Sequence, residues 1–237
     1  MIRFEPPLQP ARLIRRYKRF LADVVLADGT EVTAHCANPG AMLGLAEPGM
    51  AIWVQPATNP KRKLKWSWIL VDLPGGMRAG IDTSLPNRII GTALRARAIR
   101  ALAAYGDIRP EQKYGVNSRI DFLLRADDLP DAYVEVKNVH LCRRPGLAEF
   151  PDCVTARGTK HLGELAAMAA AGHRAVMLYL VQMTGCTRFA LAEDLDPAYA
   201  AAYHAARAAG VETLVYDCSI APDGIALGRA LEIGSAG

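Results

Sequence analysis

Three residues near the middle of the chain have types and spacing that could do chemistry: Asp121, Glu135 and Lys137. They lie in two β-like segments separated by a polar turn rich in Asp and Pro, a pattern that predicts a β-hairpin. Side chains alternate along a strand, so Glu135 and Lys137 point to one face while Val134 and Val136 point to the other. Antiparallel pairing would bring Asp121 beside Glu135. Two carboxylates and a lysine on one face can hold a divalent cation and activate a water molecule.

An ordinary alternative is that these side chains only solvate the exposed face of a sheet. Two carboxylates about 4 Å apart repel each other by roughly 4 kcal/mol at an effective dielectric constant near 20. Because such a pair does not stabilise a fold by itself, the pattern favours a cation between Asp121 and Glu135. Lys137 could itself be that cation, so the pattern indicates a site without deciding whether it holds a metal ion.

The first part of the chain must supply a separate unit, because its short apolar segments alternate with Gly and Pro turns. This pattern is typical of a small β-barrel. After a basic lead-in, strands are expected at residues 20–26, 31–36, 51–55, 64–71 and 80–83. The spacing becomes helical around Leu85-Pro86-Asn87. We therefore place a barrel domain at residues 1–84 and a second domain at residues 85–237.

The second domain begins with a helix expected from Pro86 to Tyr105, followed by the hairpin that carries Asp121 and Glu135. Residues 138–152 have the composition of a loop. Helices and apolar strands then alternate, which predicts a mixed sheet with helices packed on it. The expected elements are a helix at 155–171 capped by Thr155, a strand at 173–181, a helix at 196–209 and a strand at 211–216. The expected fold class is α/β overall.

Longer strings around these residues resemble a known family. Asp121 followed by Glu135-x-Lys137 on the next strand resembles the PD-(D/E)xK nuclease-like core. Three longer segments resemble the sugar fermentation stimulation protein A family. They are Arg-Tyr-Lys-Arg-Phe-Leu-Ala-Asp (16–23), Lys-Tyr-Gly with Ser-Arg-Ile-Asp-Phe (113–122), and Arg-Gly-Thr-Lys-His-Leu (157–162). The resemblance covers nearly the whole chain. It implies an N-terminal OB-like barrel, a C-terminal restriction-endonuclease-like α/β domain with a mixed central sheet, and DNA binding.

The resemblance also implies roles for individual residues. Asp121 and Glu135 would be the ligands of Mg²⁺ or Mn²⁺, with the Val136 carbonyl as a possible third ligand. Lys137 would orient or activate the attacking water and stabilise charge near the scissile phosphate. These assignments make Asp121, Glu135 and Lys137 the candidate catalytic residues, and no organic cofactor is expected. Phosphate contacts are implied for a helical group: Arg157, Lys160 and His161.

The sequence departs from the family pattern at positions that bear on catalysis. Thr92 stands where the family usually carries a Glu on the first helix of the nuclease-like domain. Ala156 and Thr159 replace a Glu and a Gln of the helical motif, and Asn138-Val139-His140 replaces Ser-Val-Thr. If the first helix packs with position 92 facing Asp121, a carboxylate there would come near the cation, whereas the neutral hydroxyl of Thr92 cannot supply a carboxylate's charge. Any nuclease activity is therefore expected to be slow.

Basic residues concentrate in the front part of the chain. Residues 1–70 contain ten Lys and Arg against five acids, although the whole chain has a formal net charge of only +4. This excess suggests a polyanionic partner such as DNA, while solvated clusters of Lys and Arg are also common. The candidate DNA-binding residues here are Arg15, Arg16, Lys18, Arg19, Lys61, Arg62 and Lys63.

Trp66 and Trp68 interleave with the basic residues of segment 58–68. Aromatic rings beside basic residues could stack bases of single-stranded nucleic acid, as OB folds do. The two tryptophans could instead line the core of the barrel while only the charges of the loop are exposed. We favour the core position, because Trp66 and Trp68 share a strand face with Leu64 and Leu70.

Composition excludes several classes of protein. No apolar run approaches the ~20 residues of a membrane span, and the N-terminus lacks the apolar region of a signal peptide. The five cysteines form no C-x-x-C pattern, which disfavours a disulfide framework or a zinc site. Free thiols are typical of a reducing compartment, so a cytoplasmic location without membrane contact is expected.

Three functions remain open on these observations. The first is a DNA-binding protein that binds electrostatically with weak sequence preference and, as the family name implies, is linked to the regulation of sugar metabolism. The alternative is a Mg²⁺-dependent DNA nuclease that uses Asp121, Glu135 and Lys137. A small-molecule enzyme using the same carboxylates is a third possibility, which the basic front part disfavours. No helix-turn-helix pair is evident, so the usual reader of specific sequences is missing.

Overall fold

The structure is a computed structural model that describes residues 1–115 and 118–234. Two groups of residues lie outside the described ones. They are Val116 and Asn117, which precede the predicted hairpin of Asp121 and Glu135 in the sequence, and residues 235–237 at the end of the second expected domain. The described chain forms a closed β-barrel followed by a sheet-rich unit with helices. This arrangement confirms the α/β fold class with an N-terminal OB-like barrel.

The front part contains seven strands: β1 (Ile2–Arg3), β2 (Gln9–Tyr17), β3 (Leu21–Leu26), β4 (Glu31–Cys36), β5 (Ala51–Pro56), β6 (Trp66–Leu73) and β7 (Met77–Gly80). Strands β4, β3, β2, β5 and β6 are neighbours in that order, and β4 also pairs in parallel with β6. This last pairing closes five strands into a barrel. Alternate side chains fill its interior, among them Leu13, Val24, Ile52 and Trp68, which are all buried.

The barrel differs from the sequence-based expectation in three places. The basic lead-in is itself strand β2, since Leu13 and the residues alternating with it reach the core. The last strand lies at Met77–Gly80 rather than at 80–83. Strand β1 pairs with a strand near the C-terminus, Ile2 opposite Ile225, although the predicted barrel domain began at residue 1.

The second unit contains three helices and ten strands among the described residues. They are α1 (Leu85–Arg95), β8 (Asp107–Tyr114), β9 (Ser118–Ala126), β10 (Leu129–Val139), β11 (Leu141–Arg144), β12 (Leu147–Phe150), α2 (Ala156–Ala170), β13 (Arg174–Val181), β14 (Arg188–Leu191), α3 (Pro197–Ala208), β15 (Glu212–Ala221), β16 (Gly224–Ala230) and β17 (Glu232–Ile233).

The central sheet has seven strands in the order β1-β16-β15-β13-β10-β9-β8. Strands β10, β13 and β15 are mutually parallel, while the other neighbours are antiparallel, so the sheet is mixed as predicted. Strand β13 is buried along nearly its whole length, which explains its continuous apolar sequence. A smaller sheet of β11, β12, β14 and β17 lies beside the central one.

Two local expectations in this unit were wrong. The first helix ends at Arg95 rather than Tyr105, because Arg97 adopts a φ of 54°, which an α-helix cannot contain. The segment 138–152 is not a loop: it completes β10 and forms the hairpin of β11 and β12. The predicted cap of α2 is confirmed, since Thr155 Oγ1 accepts from Gly158 N–H. The structure shows a similar cap on α3, where Asp196 Oδ1 accepts from Tyr199 N–H.

The barrel is joined to the second unit by backbone hydrogen bonds. Gly80 N–H donates to Gln182 O over 2.9 Å, and Thr184 N–H donates to Arg78 O over 2.8 Å. A Cβ atom on Gly80 would lie 2.4 Å from Gln182 Oε1 and 3.1 Å from Gln182 Cγ, so a larger residue at position 80 would displace the Gln182 side chain. The contacts fix the barrel beside the end of β13. Among the described residues, no helix is long and apolar enough to cross a membrane.

Candidate functional site

The two predicted carboxylates meet where strands β9 and β10 stop pairing. The last paired residues of this ladder are Phe122 and Val134. Beyond them the Val136 N–H donates to Asp121 Oδ2 over 2.7 Å, so the carboxylate satisfies this backbone donor. Asn87 Nδ2, in the first turn of α1, donates to Asp121 Oδ1 over 2.7 Å. Asp121 is therefore held by two donors from two different elements.

Glu135 lies on the same face and is almost completely buried, with 3% of its surface exposed. Lys137 Nζ donates to Glu135 Oε1 over 2.8 Å, and His161 Nδ1 contacts the same oxygen. Lys137 Nζ also lies 3.4 Å from His161 Nδ1. Glu135 Oε2 has no hydrogen-bond partner among the described residues. Asp121, Glu135 and Lys137 therefore lie close together, as the sequence predicted, and His161 joins them.

The two carboxylates differ in acidity because their surroundings differ. Burial, followed by the charge of Glu135, raises the pKa of Asp121 to about 6, although hydrogen bonds from Val136 and Asn87 oppose this change. Burial also acts to raise the pKa of Glu135, but hydrogen bonds from His161 and Lys137 and the charge of Lys137 outweigh it and lower that pKa. Near neutral pH both groups are ionised, and Asp121 is the one that gains from a nearby cation.

These residues line a cavity of about 660 Å³, which we call the acidic cavity. Both structural units contribute to it: Asn38, Pro39 and Gly40 come from the barrel, while Asp121 and Glu135 belong to the second unit. Five carboxylates line it, Glu111, Asp121, Glu135, Glu149 and Asp152, against the permanently basic Lys137 and Arg157. Arg143 donates to both oxygens of Glu149 and neutralises it, so four carboxylates remain against the two basic side chains. The cavity is therefore suited to a cation and unsuited to a phosphate alone.

Asp121 and Glu135 fit a hard divalent cation. The oxygen Glu135 Oε2 is buried without a partner, which costs free energy unless a ligand binds it. No cluster of three or more His, Cys, Asp or Glu side chains arranged to hold a metal ion occurs in the described part of the chain. Mg²⁺ commonly takes one or two protein carboxylates and completes its shell with water, so two carboxylates suffice.

The helical group occupies mixed positions relative to this cavity. His161 is buried and touches Glu135, and Arg157 Nε donates to His161 Nε2 over 3.4 Å. Arg157 itself lines the cavity and is exposed. Lys160 does not line the cavity; its Nζ lies 3.6 Å from Glu164 Oε1 on the same helix. We infer from this network that the hydrogen of His161 is on Nδ1, which donates to Glu135, so that Nε2 can accept from Arg157.

Thr92 does not face the site. Its hydroxyl donates to Arg88 O over 2.8 Å on the exposed side of α1, near Ile225 rather than Asp121. The expectation of a Thr92–Asp121 contact was wrong because α1 turns Asn87, not Thr92, toward the sheet. Asn87 is therefore the helix residue that sequence reasoning missed, and the only signal for it was a polar residue in the first helical turn.

The basic residues of the barrel are not all free to bind a phosphate. Arg16 Nη2 donates to Asn38 O and Gly40 O, so this guanidinium holds the loop that lines the acidic cavity. Arg15 Nε donates to Asp23 over 2.9 Å, and both Arg62 Nη atoms donate to Ser67 Oγ over 3.1 Å. Of the predicted basic residues on the barrel, Lys18, Arg19, Lys61 and Lys63 are exposed, as is Arg15, which is paired with Asp23.

The two tryptophans pack into the core of the barrel, as we favoured from the sequence. Trp68 is fully buried in the barrel, and its Nε1 donates to Leu70 O over 2.9 Å. Trp66 is partly buried and packs against the same core. Trp68 is therefore unable to stack on a base.

A network of buried amide and imidazole groups was also missed. His140 Nε2 lies 2.5 Å from Gly80 O, and its Nδ1 lies 3.3 Å from Asn38 Nδ2. Asn138 Oδ1 accepts from Gln182 Nε2 over 3.0 Å. Burial lowers the pKa of His140 to about 4, so it is neutral at physiological pH. Asn138 and His140 are departures from the family pattern, and here they connect β10 to the barrel.

Comparison with known proteins gives consistent matches over the chain. Residues 84–224 match the sugar fermentation stimulation protein RE domain, and residues 14–80 match the SfsA N-terminal OB domain. The chain is 64% identical over 230 residues to the sugar fermentation stimulation protein homolog of Ruegeria pomeroyi, covering 97% of this chain and 100% of the relative. It is 57% identical over 230 residues to the homolog of Paramagnetospirillum magneticum, covering 97% of each.

A solved structure resembles the whole chain. The SfsA protein of Pyrococcus furiosus, determined in complex with Ca²⁺, has a TM-score of 0.86 and 24% sequence identity. The likeness covers 99% of this chain and 100% of the other. At this identity the likeness concerns the fold, which is a barrel followed by a sheet-rich unit in both proteins.

Proposed function

This chain belongs to the sugar fermentation stimulation protein family, and from that premise we propose that it binds DNA and cuts phosphodiester bonds with the help of a divalent cation. One observation carries the proposal. Asp121 and Glu135 converge at the end of a strand pair, inside a cavity, with one buried carboxylate oxygen left without a partner among the described residues. Lys137 lies on the same face.

The charge of the acidic cavity supports a requirement for the cation. A phosphodiester carries a negative charge, and besides Glu149, which Arg143 neutralises, the cavity has four carboxylates against Lys137 and Arg157. Without an added positive charge, a phosphate approaching Asp121 and Glu135 would be repelled. We therefore propose that DNA reaches this site only when the cation is bound.

Asp121 and Glu135 would hold the cation through carboxylate oxygens, Glu135 through its unpartnered Oε2. A divalent cation in such a place supplies a water of lowered pKa and neutralises charge on the phosphate. Asn87 and the Val136 N–H keep Asp121 in one orientation, since each donates to a different carboxylate oxygen. This orientation would be retained when the cation binds, because each oxygen has a second lone pair.

Lys137 would stabilise the charge that develops on the phosphate. Its ammonium already lies beside Glu135 and His161, with 14% of its side chain exposed, so its rotamer is restricted by contacts. A restricted cation near the reacting group needs little reorganisation during the reaction. His161 would act through Lys137 and Glu135, keeping both in place.

The Pyrococcus furiosus protein is described as a complex with Ca²⁺. Ca²⁺ and Mg²⁺ are both hard cations that prefer oxygen ligands. For the present chain we propose the same preference for oxygen ligands, with Mg²⁺ or Mn²⁺ as the cation that supports cutting.

A cutting assay tests the proposal. Fluorescently labelled single- and double-stranded DNA would be incubated with Mg²⁺ or Mn²⁺ and with wild type, Asp121→Asn or Asp127→Asn. Asp127 is an exposed acid in the turn of the same hairpin and serves as the matched control. We expect cutting by wild type and Asp127→Asn and a loss of at least about 100-fold in Asp121→Asn, the size typical of an essential electrostatic group. Equal cutting by all three proteins would remove Asp121 from the reaction.

A second candidate function is DNA binding without cutting. It is favoured by the pairing of Glu135 Oε1 with both Lys137 and His161, which compensates this charge without a metal ion. Exposed Lys18, Arg19, Lys61 and Lys63 on the barrel could hold a DNA backbone electrostatically. Under this alternative, wild type binds DNA with a steep salt dependence and cuts no substrate with either cation.

A further inference from the structure

An exposed aromatic ring lies on the barrel near the acidic cavity. Phe20 is 46% exposed, and its ring stacks on His35 with centroids 6.5 Å apart and planes 11° from parallel. Backbone pairing fixes both residues: Cys36 N–H donates to Phe20 O over 2.8 Å, and Leu21 pairs with His35 across β3 and β4. The backbone that carries the ring is therefore fixed, while much of the ring surface faces solvent.

Phe20 and His35 line a second cavity of about 880 Å³, which we call the barrel groove. Two basic residues, Arg62 and Lys63, line the same groove. It also contains one carboxylate, Asp82, whose Oδ1 accepts from Ser84 N–H over 2.8 Å. The groove thus combines aromatic rings with an excess of positive charge, unlike the acidic cavity.

The two cavities are adjacent. Pro39, Thr83 and Ser84 line both of them, so they form a shared rim. Thr83 is held at this rim by hydrogen bonds to Ala37 O from its N–H and its hydroxyl, each 3.0 Å long. A chain lying in the barrel groove can therefore pass over this rim to Asp121 and Glu135.

We infer that the barrel groove binds an unpaired stretch of nucleic acid and leads it to the carboxylate pair, an inference that rests on the proposed function. Stacking on Phe20 needs the exposed face of a base, and in a duplex those faces are covered by neighbouring base pairs. Exposed Lys63 would contact a phosphate of the same strand. Arg62, whose Nη atoms donate to Ser67 Oγ, would add positive charge to the groove. The rings of this platform are Phe20 and His35, not the tryptophans of segment 58–68.

Binding would be measured by fluorescence anisotropy, with a labelled ten-residue oligothymidylate and a labelled duplex, in EDTA at one fixed salt concentration. The proteins are wild type, Phe20→Leu, Phe20→Trp and the control Leu129→Ala, an equally exposed apolar residue in the second unit, at 42%. Phe20→Leu keeps an apolar side chain but removes the ring. We expect it to weaken single-strand binding roughly tenfold, in the range of one lost base–aromatic stack, while Phe20→Trp and Leu129→Ala bind as wild type does.

Duplex binding separates a stacking role from a general one. We expect Phe20→Leu to bind the duplex with unchanged affinity. Single-strand binding by Phe20→Leu equal to that of wild type would overturn the inference. An equal loss on single strand and duplex would also overturn it, because a duplex offers no free base to the ring.

The failure of this inference can be told apart from the failure of the proposed function by assaying cutting of the same oligonucleotide with Mn²⁺. If Asp121→Asn abolishes cutting while Phe20→Leu binds and cuts as wild type does, the groove assignment is wrong and the cutting site stands. If no protein cuts but Phe20→Leu loses single-strand affinity, the groove assignment stands and cutting is wrong.

Discussion

Replacing Asp121 with Asn should stabilise the metal-free protein, which is unusual for a change at a half-buried, hydrogen-bonded residue. The pKa of Asp121 is raised from 3.8 to about 6 by burial and by Glu135. Keeping this group ionised in the folded state costs about 3 kcal/mol at pH 8. An Asn side chain can accept from only one of the donors Val136 N–H and Asn87 Nδ2, so about 1 kcal/mol is lost. The expected net gain is about 2 kcal/mol.

The sign of the pH dependence follows from the direction of the pKa change. Asp121 is protonated in both the folded and the unfolded state below pH 3.8, so no cost exists there. Between that pH and about 6 the unfolded state loses its proton first, and the folded wild type becomes progressively less favoured. The advantage of Asp121→Asn should therefore be complete above about pH 7 and approach zero between about pH 4 and 5.

Urea unfolding at several pH values in EDTA, followed by circular dichroism, measures this difference. Asp127→Asn is the control and should show no such pH-dependent gain. Adding Mn²⁺ at 100 times its dissociation constant should stabilise wild type by about 2.7 kcal/mol and leave Asp121→Asn unchanged. The reasoning is refuted if Asp121→Asn is less stable than wild type at pH 8, or if the difference between them does not vary with pH.

Three further predictions follow from the positions of single side chains. Asn87→Asp places a third carboxylate 2.7 Å from Asp121, so calorimetry should find tighter Mn²⁺ binding and urea unfolding a less stable metal-free protein; weaker Mn²⁺ binding would contradict this. Thr92→Glu should leave the cutting rate unchanged, since Thr92 lies on the exposed side of α1, and faster cutting would show that a glutamate there reaches the site. Trp68→Ala should destabilise the barrel by about 3–5 kcal/mol in urea unfolding, because Trp68 is fully buried; a change below about 1 kcal/mol would contradict the packing.

The sequence predicted best where a local pattern has a single structural outcome. Alternation in a strand places Glu135 and Lys137 on one face, and antiparallel pairing brings Asp121 to them, as the structure has it. The cap Thr155 was predicted just as directly, because a side-chain oxygen before a helical segment commonly accepts from the first backbone N–H groups of that helix.

The sequence predicted less where the outcome depends on distant parts of the chain. Which face of α1 meets the sheet is decided by packing, so Asn87 rather than Thr92 reaches Asp121. Strand β12 is recognisable only by its pairing with β11 and β14, since four residues carry too little pattern. Phe20 stayed unnoticed because an aromatic residue at the start of a strand is usually buried, and its exposure depends on how the barrel closes.

The central claim is that one divalent cation binds between Asp121 and Glu135. Crystals soaked in Mn²⁺ and measured at the manganese absorption edge would locate it directly. We predict one anomalous peak about 2.1 Å from an oxygen of Asp121 and from Glu135 Oε2, with water molecules completing its shell. Crystals of Asp121→Asn treated in the same way should lack the peak. Wild-type crystals without a peak at these oxygens, or with manganese bound only elsewhere on the chain, would contradict the claim.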